Sequence, residues 1–256
     1  MQKPLQFLAF DTSTDRLSVA VTDGARVWQH SGPGGAQASA TLIPAILALL
    51  AEAGLGLGDL DAIAFGRGPG SFTGLRTACA VAQGLAFGAN HGAGIPVLPV
   101  DTLAAVAEEA RFQRFGALAE SDAPLTVMAL LDARMDEMYV QRYEFQKGLC
   151  KPVQGCELIR PENLAPDAAA QLLAGNVFGV YAGRLPAELA GLDCIEALPT
   201  ATALLRLAPA LAAAGHCIEA ALALPLYVRD KVAQTTDERA RIKADALAAP
   251  VSPLEI

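Results

Sequence analysis

Two apolar periods run along this chain, one of two residues and one of three to four, and they change over at glycine, proline and aspartate. Leu5 to Asp11 is a mostly apolar run that predicts a buried strand. Leu17 to Thr22 alternates, and Asp23-Gly24 is a hairpin signal leading into Ala25 to His30, so the first thirty residues predict a three-stranded meander. Leu42, Ile43, Ile46, Leu47 and Leu50 then fall at helical spacing, with Pro44 tolerable near the first turn or at a kink and Gly54 as the stop. A strand over Ala62 to Phe65, a glycine-rich loop and a helix over Phe72 to Gly88 follow. A second pass begins with a strand at Pro96 to Val100 and a helix over Leu103 to Phe112, for which Asp101-Thr102 is the N-cap. Strands are expected at Leu125 to Leu131, Glu137 to Phe145 and Glu157 to Arg160, then a helix from Pro161 to about Leu173, a strand at Val177 to Tyr181 and a helix over Ala201 to Ala214.

The two passes share more than their order. Phe10-Asp11-Thr12-Ser13-Thr14-Asp15-Arg16-Leu17-Ser18-Val19 aligns without a gap on Leu131-Asp132-Ala133-Arg134-Met135-Asp136-Glu137-Met138-Tyr139-Val140. Both read strand, Asp, tight turn, Asp, strand, and both are followed by the three-strand, helix, strand order, which predicts a duplication. Such a unit resembles the actin, Hsp70 and sugar-kinase (ASKHA) superfold: an α/β chain of two βββαβα lobes whose first hairpins face each other across a nucleotide cleft. The expected division is an N-terminal lobe over 1–100, completed by the helix near 201–214, a second lobe over 101–200, and a C-terminal segment and tail over 215–256. In active members of that superfold a glycine in the hairpin lets backbone amides wrap a phosphate, and the flanking Asp manages magnesium. Thr12-Ser13-Thr14 and Ala133-Arg134-Met135 contain no glycine, so Asp11, Thr12, Ser13 and Asp132 are candidates for a residual cleft only. The alternative is that Asp11 and Asp132 simply order their turns.

Composition narrows the function classes. Of the 256 residues 53% are apolar and the formal net charge is −8, which opposes unaided binding to a polyanion, because nucleic-acid affinity rests largely on Lys and Arg neutralising phosphates. No window of about 18 residues lacks charges and Gly or Pro breaks as a membrane span requires, and Met1-Gln2-Lys3-Pro4-Leu5 leads into a strand rather than a signal peptide; a cytoplasmic protein is expected. The five cysteines, Cys79, Cys150, Cys156, Cys194 and Cys217, are scattered, which supports neither a disulfide framework nor a zinc knuckle. His30, His91 and His216 offer no pair at three- or four-residue spacing, so neither a metal nor another cofactor is expected.

The most specific stretch is Gly66-Arg67-Gly68-Pro69-Gly70-Ser71-Phe72-Thr73-Gly74-Leu75-Arg76. It is not a Walker A loop, since Thr73 stands five after Gly68 and no Lys appears. A dinucleotide fingerprint meets Ser71 where its third glycine should be, and a nucleophile elbow around Ser71 meets Pro69 and Thr73. Its glycines and proline give a loop of defined shape, for which Gly66, Gly68, Pro69, Gly70, Gly74 and Arg76 are the structural residues. Residue for residue it resembles the signature of the TsaB (YeaZ-like) family. Further matches are Phe10 to Thr14, Gln83-Gly84-Leu85-Ala86-Phe87-Gly88, Leu131 to Met135 and Pro225-Leu226-Tyr227-Val228-Arg229, and one departure is Ala38, where many members have histidine.

The resemblance implies a non-catalytic subunit that scaffolds TsaD, the enzyme transferring a threonylcarbamoyl group to the tRNA adenosine beside the anticodon, and that helps recruit the TsaE ATPase. Contact with tRNA would come only through the complex, and a second copy of this chain, giving a homodimer, is the alternative partner when TsaD is absent. Where TsaD carries a His-x-x-x-His metal motif, this chain has Thr102 and Val106. The partner surface is placed on two helices, on small-residue stripes: Ala80, Gly84 and Gly88 form one, Gly74, Ala78, Ala82 and Ala86 the other. One stripe serves the chain's own sheet and the other is left over; Leu42, Ile46, Ala78, Ala82, Gly84 and Leu85 are the expected interface residues. The alternatives are an ATPase or phosphotransferase using Asp11 and Asp132 around magnesium and, more distantly, a glycoprotease-like peptidase.

Overall fold

A computed structural model describes residues 4–117, 123–167, 169–189 and 191–229. The first meander is β1 (Phe7–Asp11), β2 (Arg16–Thr22) and β3 (Val27–Pro33), followed by α1 (Ala38–Ala53), β4 (Ala62–Gly68), α2 (Phe72–Gly88), β5 (Val97–Asp101) and α3 (Thr102–Phe115). The second half runs β6 (Leu125–Arg134), β7 (Glu137–Gln146), β8 (Leu149–Pro152), β9 (Glu157–Ile159), β10 (Leu172–Gly175), α4 (Val177–Val180), β11 (Asp193–Glu196) and α5 (Ala201–Ala213). One sheet has the order β3-β2-β1-β4-β5 and the other β8-β7-β6-β10-β11 with β9 also on β7, so the two sheets repeat one topology.

Five layers result, and the strand alternation assigns each side chain to one of them. From β1, Phe7 and Ala9 face inward to a central layer made by α3 and α5, while Leu8 and Phe10 face outward to α1 and α2. On β6, Val127, Ala129 and Leu131 face the same central layer from the other side, and Met128 and Leu130 face out to α4 and its neighbouring loops. The inner face of the first sheet is small, with Ala9, Ala20, Ala62 and Ala64, and alanines 104, 105, 107 and 110 of α3 line the same core. Close approach of helix and sheet follows from removing bulk on both. Within the central layer, buried Glu108 takes two hydrogen bonds from buried Arg111 (2.6 and 2.8 Å), and Arg206 of α5 bridges Glu108 and Glu109 (2.7 and 2.6 Å). These charge-assisted bonds pin α5 to α3.

Three expectations need correction, all in the second half. The helix expected from Pro161 is a single 3-10 turn, Pro161–Asn163, and Leu172–Gly175 is a strand, β10. The strand expected at Val177 to Tyr181 is the short helix α4. Strands β8 and β11 went unforeseen. In the first half Pro44 lies inside α1, beyond its first turn, with its ring on the exposed side. One helical stretch, Gly35–Ala53, has the length and mean hydropathy of a membrane span, but Pro44 and Glu52 interrupt it. Its Leu42, Ile46, Leu49 and Leu50 are buried in the outer core of the first sheet. The part of the expected tail beyond residue 229 lies outside the described residues.

Candidate functional site: the cleft between two hairpins and the outer face of two helices

Asp11 ends β1 and Asp132 sits near the end of β6, the matching positions of the two sheets. Each orders its own turn. Asp11 Oδ1 accepts from the Ser13 amide (2.8 Å) and hydroxyl (2.6 Å), and Asp132 Oδ1 accepts from the Arg134 amide (2.9 Å) and the Tyr181 hydroxyl (2.7 Å). The Asp132 amide in turn donates to Asn176 (2.8 Å). Burial and the bond to Asp132 hold the Tyr181 hydroxyl well above the usual phenol range.

The two turns differ sharply in exposure. Asp11, Thr12 and Ser13 are buried, because the glycine loop lies on top of them. The Ser71 amide donates to Ser13 O (2.7 Å) and the Thr12 hydroxyl to Gly74 O (2.7 Å). A Cβ at Gly66 would fall on Asp11 Oδ2, and one at Gly74 on the Thr12 carbonyl, so glycine is required there for close approach. Asp11 Oδ2 has no hydrogen-bond partner, and burial pushes the carboxyl up to about 6 despite the opposing Ser13 bonds.

A magnesium–phosphate group of the kind the superfold holds does not fit the first hairpin. Its turn has no glycine, its Ser13 amide is taken by Asp11, and the aspartate that would manage the metal is sealed under Gly66. Thr102 and Val106 are both buried in α3. What remains open between the hairpins is a recess of about 230 Å³ lined by Ser13, Asp15, Ser71, Asp132, Arg134 and Asn176. Beside it is a cavity of about 580 Å³ walled by Phe72, Met135, Tyr139, Tyr227 and Arg229. The roles of Asn176, Tyr181 and Tyr227 were missed in the sequence; only the Pro225 to Arg229 motif hinted at the last.

Among the described residues Arg76 meets an aromatic pair. Its Nε donates to the Tyr227 hydroxyl (3.0 Å), and its guanidinium lies 3.8 Å from the centre of the Phe72 ring, which packs on Tyr227 at 5.1 Å. Gly68, at φ +125°, makes room for the Leu226 carbonyl, and the Leu226 amide donates to Arg67 O (2.7 Å). Pro69 follows Gly68 through a cis peptide bond, and Gly70 packs on Ser13.

The helical stripes separate by side. Leu42, Ile46, Ala78 and Ala82 are fully buried against the first sheet, so these four give the helices their core side and present no surface to a partner. Leu85 is half-buried and Gly84 is exposed with nothing near its missing Cβ. The opposite side carries Ile43 (41% exposed) and Leu47 (52%) on α1, with Ala80, Gly84 and Phe87 (55%) on α2. No charged side chain lies among these five positions.

Two duplicated sheets, a shared helical layer and a pair of Asp-ended hairpins define a two-lobed ASKHA-type protein with a first hairpin closed to phosphate. Residues 33–223 match the family model of TsaD, tRNA N6-adenosine threonylcarbamoyltransferase. The tRNA threonylcarbamoyladenosine biosynthesis protein TsaB of Haemophilus influenzae is 36% identical over 238 residues, covering 89% of this chain and 95% of that protein. Its Escherichia coli namesake is 32% identical over 237 residues, 90% of this chain and 96% of the relative. Among solved structures, YeaZ from Pseudomonas aeruginosa superposes with a TM-score of 0.74 at 40% identity, covering 88% of this chain and all of that one; a second structure is described as similar to peptidase YEAZ from the same organism. The chain therefore belongs to the TsaB (YeaZ-like) family of tRNA threonylcarbamoyladenosine biosynthesis proteins.

Proposed function

We propose that this chain is a non-catalytic, cytoplasmic scaffold subunit in threonylcarbamoyladenosine formation. It binds the catalytic paralogue TsaD through the outer face of α1 and α2 and helps recruit TsaE, with tRNA reached only through the assembly. The observation that carries this reading is the pairing of an apolar surface at Ile43, Leu47, Ala80, Gly84 and Phe87, Arg76 standing at its end, with a first hairpin closed over Asp11. Small residues at Ala80 and Gly84 let a partner helix approach closely, and the large side chains at Ile43, Leu47 and Phe87 supply apolar area at its margins. A second copy of this chain can use the same face when TsaD is absent.

The test is co-purification with TsaD followed by a transfer assay. Leu47→Asp and Gly84→Leu act on exposed positions, so melting temperatures should stay near that of the parent protein. Affinity for TsaD should fall at least about 10-fold in each, the scale expected for one central interface side chain. Two folded variants that bind TsaD and support modification at the parent level would remove this face from the interface. The isolated protein should hydrolyse no ATP; a turnover abolished by Asp11→Ala would favour the ATPase reading instead.

A further inference from the structure

The last described residues cross from one lobe to the other in very few steps. Ile218 pairs with Val97 at the edge of the first sheet, Cys79 and Gln83 of α2 donate to Ala220 and Ala223 carbonyls, and Leu226 is bonded to Arg67. Tyr227 packs on Phe72 and accepts from Arg76. Everything to this point belongs to the first lobe. Arg229, two residues on, belongs to the second: its guanidinium donates to the Ala133 (3.1 Å) and Arg134 (3.3 Å) carbonyls, pairs with Glu137 (2.8 Å) and touches Met135. Its side chain is only 13% exposed.

The turn that Arg229 grips has an unusual backbone. Arg134, Met135 and Asp136 are three successive non-glycine residues at positive φ (61°, 56° and 58°), a conformation L-residues adopt only when their surroundings impose it. Arg229 holds the turn through two of its carbonyls from one side, and Arg184 holds Asp136 (2.7 Å) from the other. Between the Leu226 and Arg229 anchors lie three Cα steps, which reach about 11 Å at full extension.

We infer that Leu226–Arg229 is a tether that fixes the separation of the two hairpins: the cleft opens no wider than three residues allow while Arg229 stays seated, and release of Arg229 lets the hairpins move apart about the helical layer the two lobes share. The cavity of about 580 Å³ beside the cleft is bounded by this strap, with Leu226, Tyr227, Val228 and Arg229 all on its wall. A tether and a mere brace of the second turn make different predictions, because only a tether depends on its length.

Two variants of the full chain test this: Arg229→Ala, and an insertion of two glycines between Tyr227 and Val228 that keeps both anchors and lengthens the strap. Nitroxides on keto-bearing unnatural residues at positions 15 and 180, across the recess, report the inter-lobe distance by pulsed electron–electron resonance, with the cysteines untouched. The parent should give one narrow distribution. Arg229→Ala should broaden it, and the insertion should extend its upper limit by up to about 7 Å, the reach of two residues. Circular dichroism and melting confirm that each variant is folded; if Arg229→Ala fails to fold, the insertion alone carries the test. A folded insertion variant with the parent distribution overturns the tether, and a change confined to Arg229→Ala does so too, since that result makes Arg229 a brace.

Discussion

Both lobes have the same strand order, but the first wraps its sheet in two long helices where the second has almost none. Between β3 and β4 the chain makes the 16-residue α1, and after β4 the 17-residue α2. At the corresponding places in the second lobe there is a 3-10 turn, Pro161–Asn163, and the 4-residue α4. The consequence is energetic. Loops and a short helix lay Leu164, Val177, Tyr181 and Leu189 onto their sheet, whereas a long helix on a sheet can bury only one stripe. The second stripe of α1 and α2 is left apolar and exposed, and the first lobe is therefore the one with a surface to offer. The hairpins show the converse: the first is closed by its own glycine loop, and the second is open to the cleft, with Arg134 and Met135 exposed.

Substituting matched glycines breaks this comparison most severely. A methyl at Gly74 would collide with the Thr12 carbonyl inside the seal over the first hairpin, where backbone on both sides resists movement. Gly74→Ala should lose about 3 kcal/mol of stability in urea unfolding, at the upper end of what overpacking costs. Gly179→Ala, in the short helix of the second lobe, meets nothing within 4 Å and should change stability by less than about 0.5 kcal/mol. Equal effects would mean that the loop over Asp11 is not the rigid seal its contacts describe.

The closed hairpin should also show itself in the pH dependence of stability. Asp11 holds its proton more tightly folded than unfolded, with its carboxyl raised from 3.8 to about 6. Its contribution to stability is fully present below the unfolded value and is lost as pH rises through about 6. At about 1.4 kcal/mol per unit the loss is about 3 kcal/mol. Asp11→Asn cannot ionise, so its stability relative to the parent should climb by up to that amount between pH 4 and pH 7 and then level off. Taking the difference between the two proteins cancels carboxylates that act in the opposite sense, such as Asp167, which the Arg142 guanidinium holds below the usual range. A difference that stays flat across this interval would show that Asp11 is not sealed.

The first lobe was legible almost element by element because its signals are local: period-two runs end at Asp11 and Asp23-Gly24, and α2 starts and stops where the glycines predict. In the second lobe Leu164, Leu172 and Leu173 can be read at helical spacing, and Val177 to Tyr181 as a short apolar run. Such runs do not distinguish strand from helix, and the sheet contacts that decide between them lie 45 residues away at Val127 and Met128. Small-residue stripes were visible on α2, but periodicity does not say which stripe faces the sheet, so Leu42, Ile46, Ala78 and Ala82 were placed on the wrong side. Asp11 was legible as a turn former, not as a sealed carboxyl, because its burial depends on Gly66 and Gly74. The tail motif was visible; its partners were not, since Arg76 and Tyr227 are 151 residues apart.

A smaller effect than that of Gly74 or Asp11 belongs to that pair. Arg76 is exposed, which screens its charge, and its bond to Tyr227 and its stacking on Phe72 each stand in contact with water. Arg76→Ala should therefore destabilise the protein by only about 0.5–1 kcal/mol, and Tyr227→Phe, which keeps the ring stacking and removes the acceptor, by less. Combining them separates the two interactions: if the hydrogen bond is the coupling, the double variant should lose less than the sum, by a few tenths of a kcal/mol. Strict additivity would leave stacking on Phe72 as what holds Arg76 to the loop. A loss above about 2 kcal/mol in Arg76→Ala alone would mean that Arg76 secures the strap rather than decorating its rim, and the N-terminus of α2 would then be as dependent on the tail as the second hairpin is on Arg229.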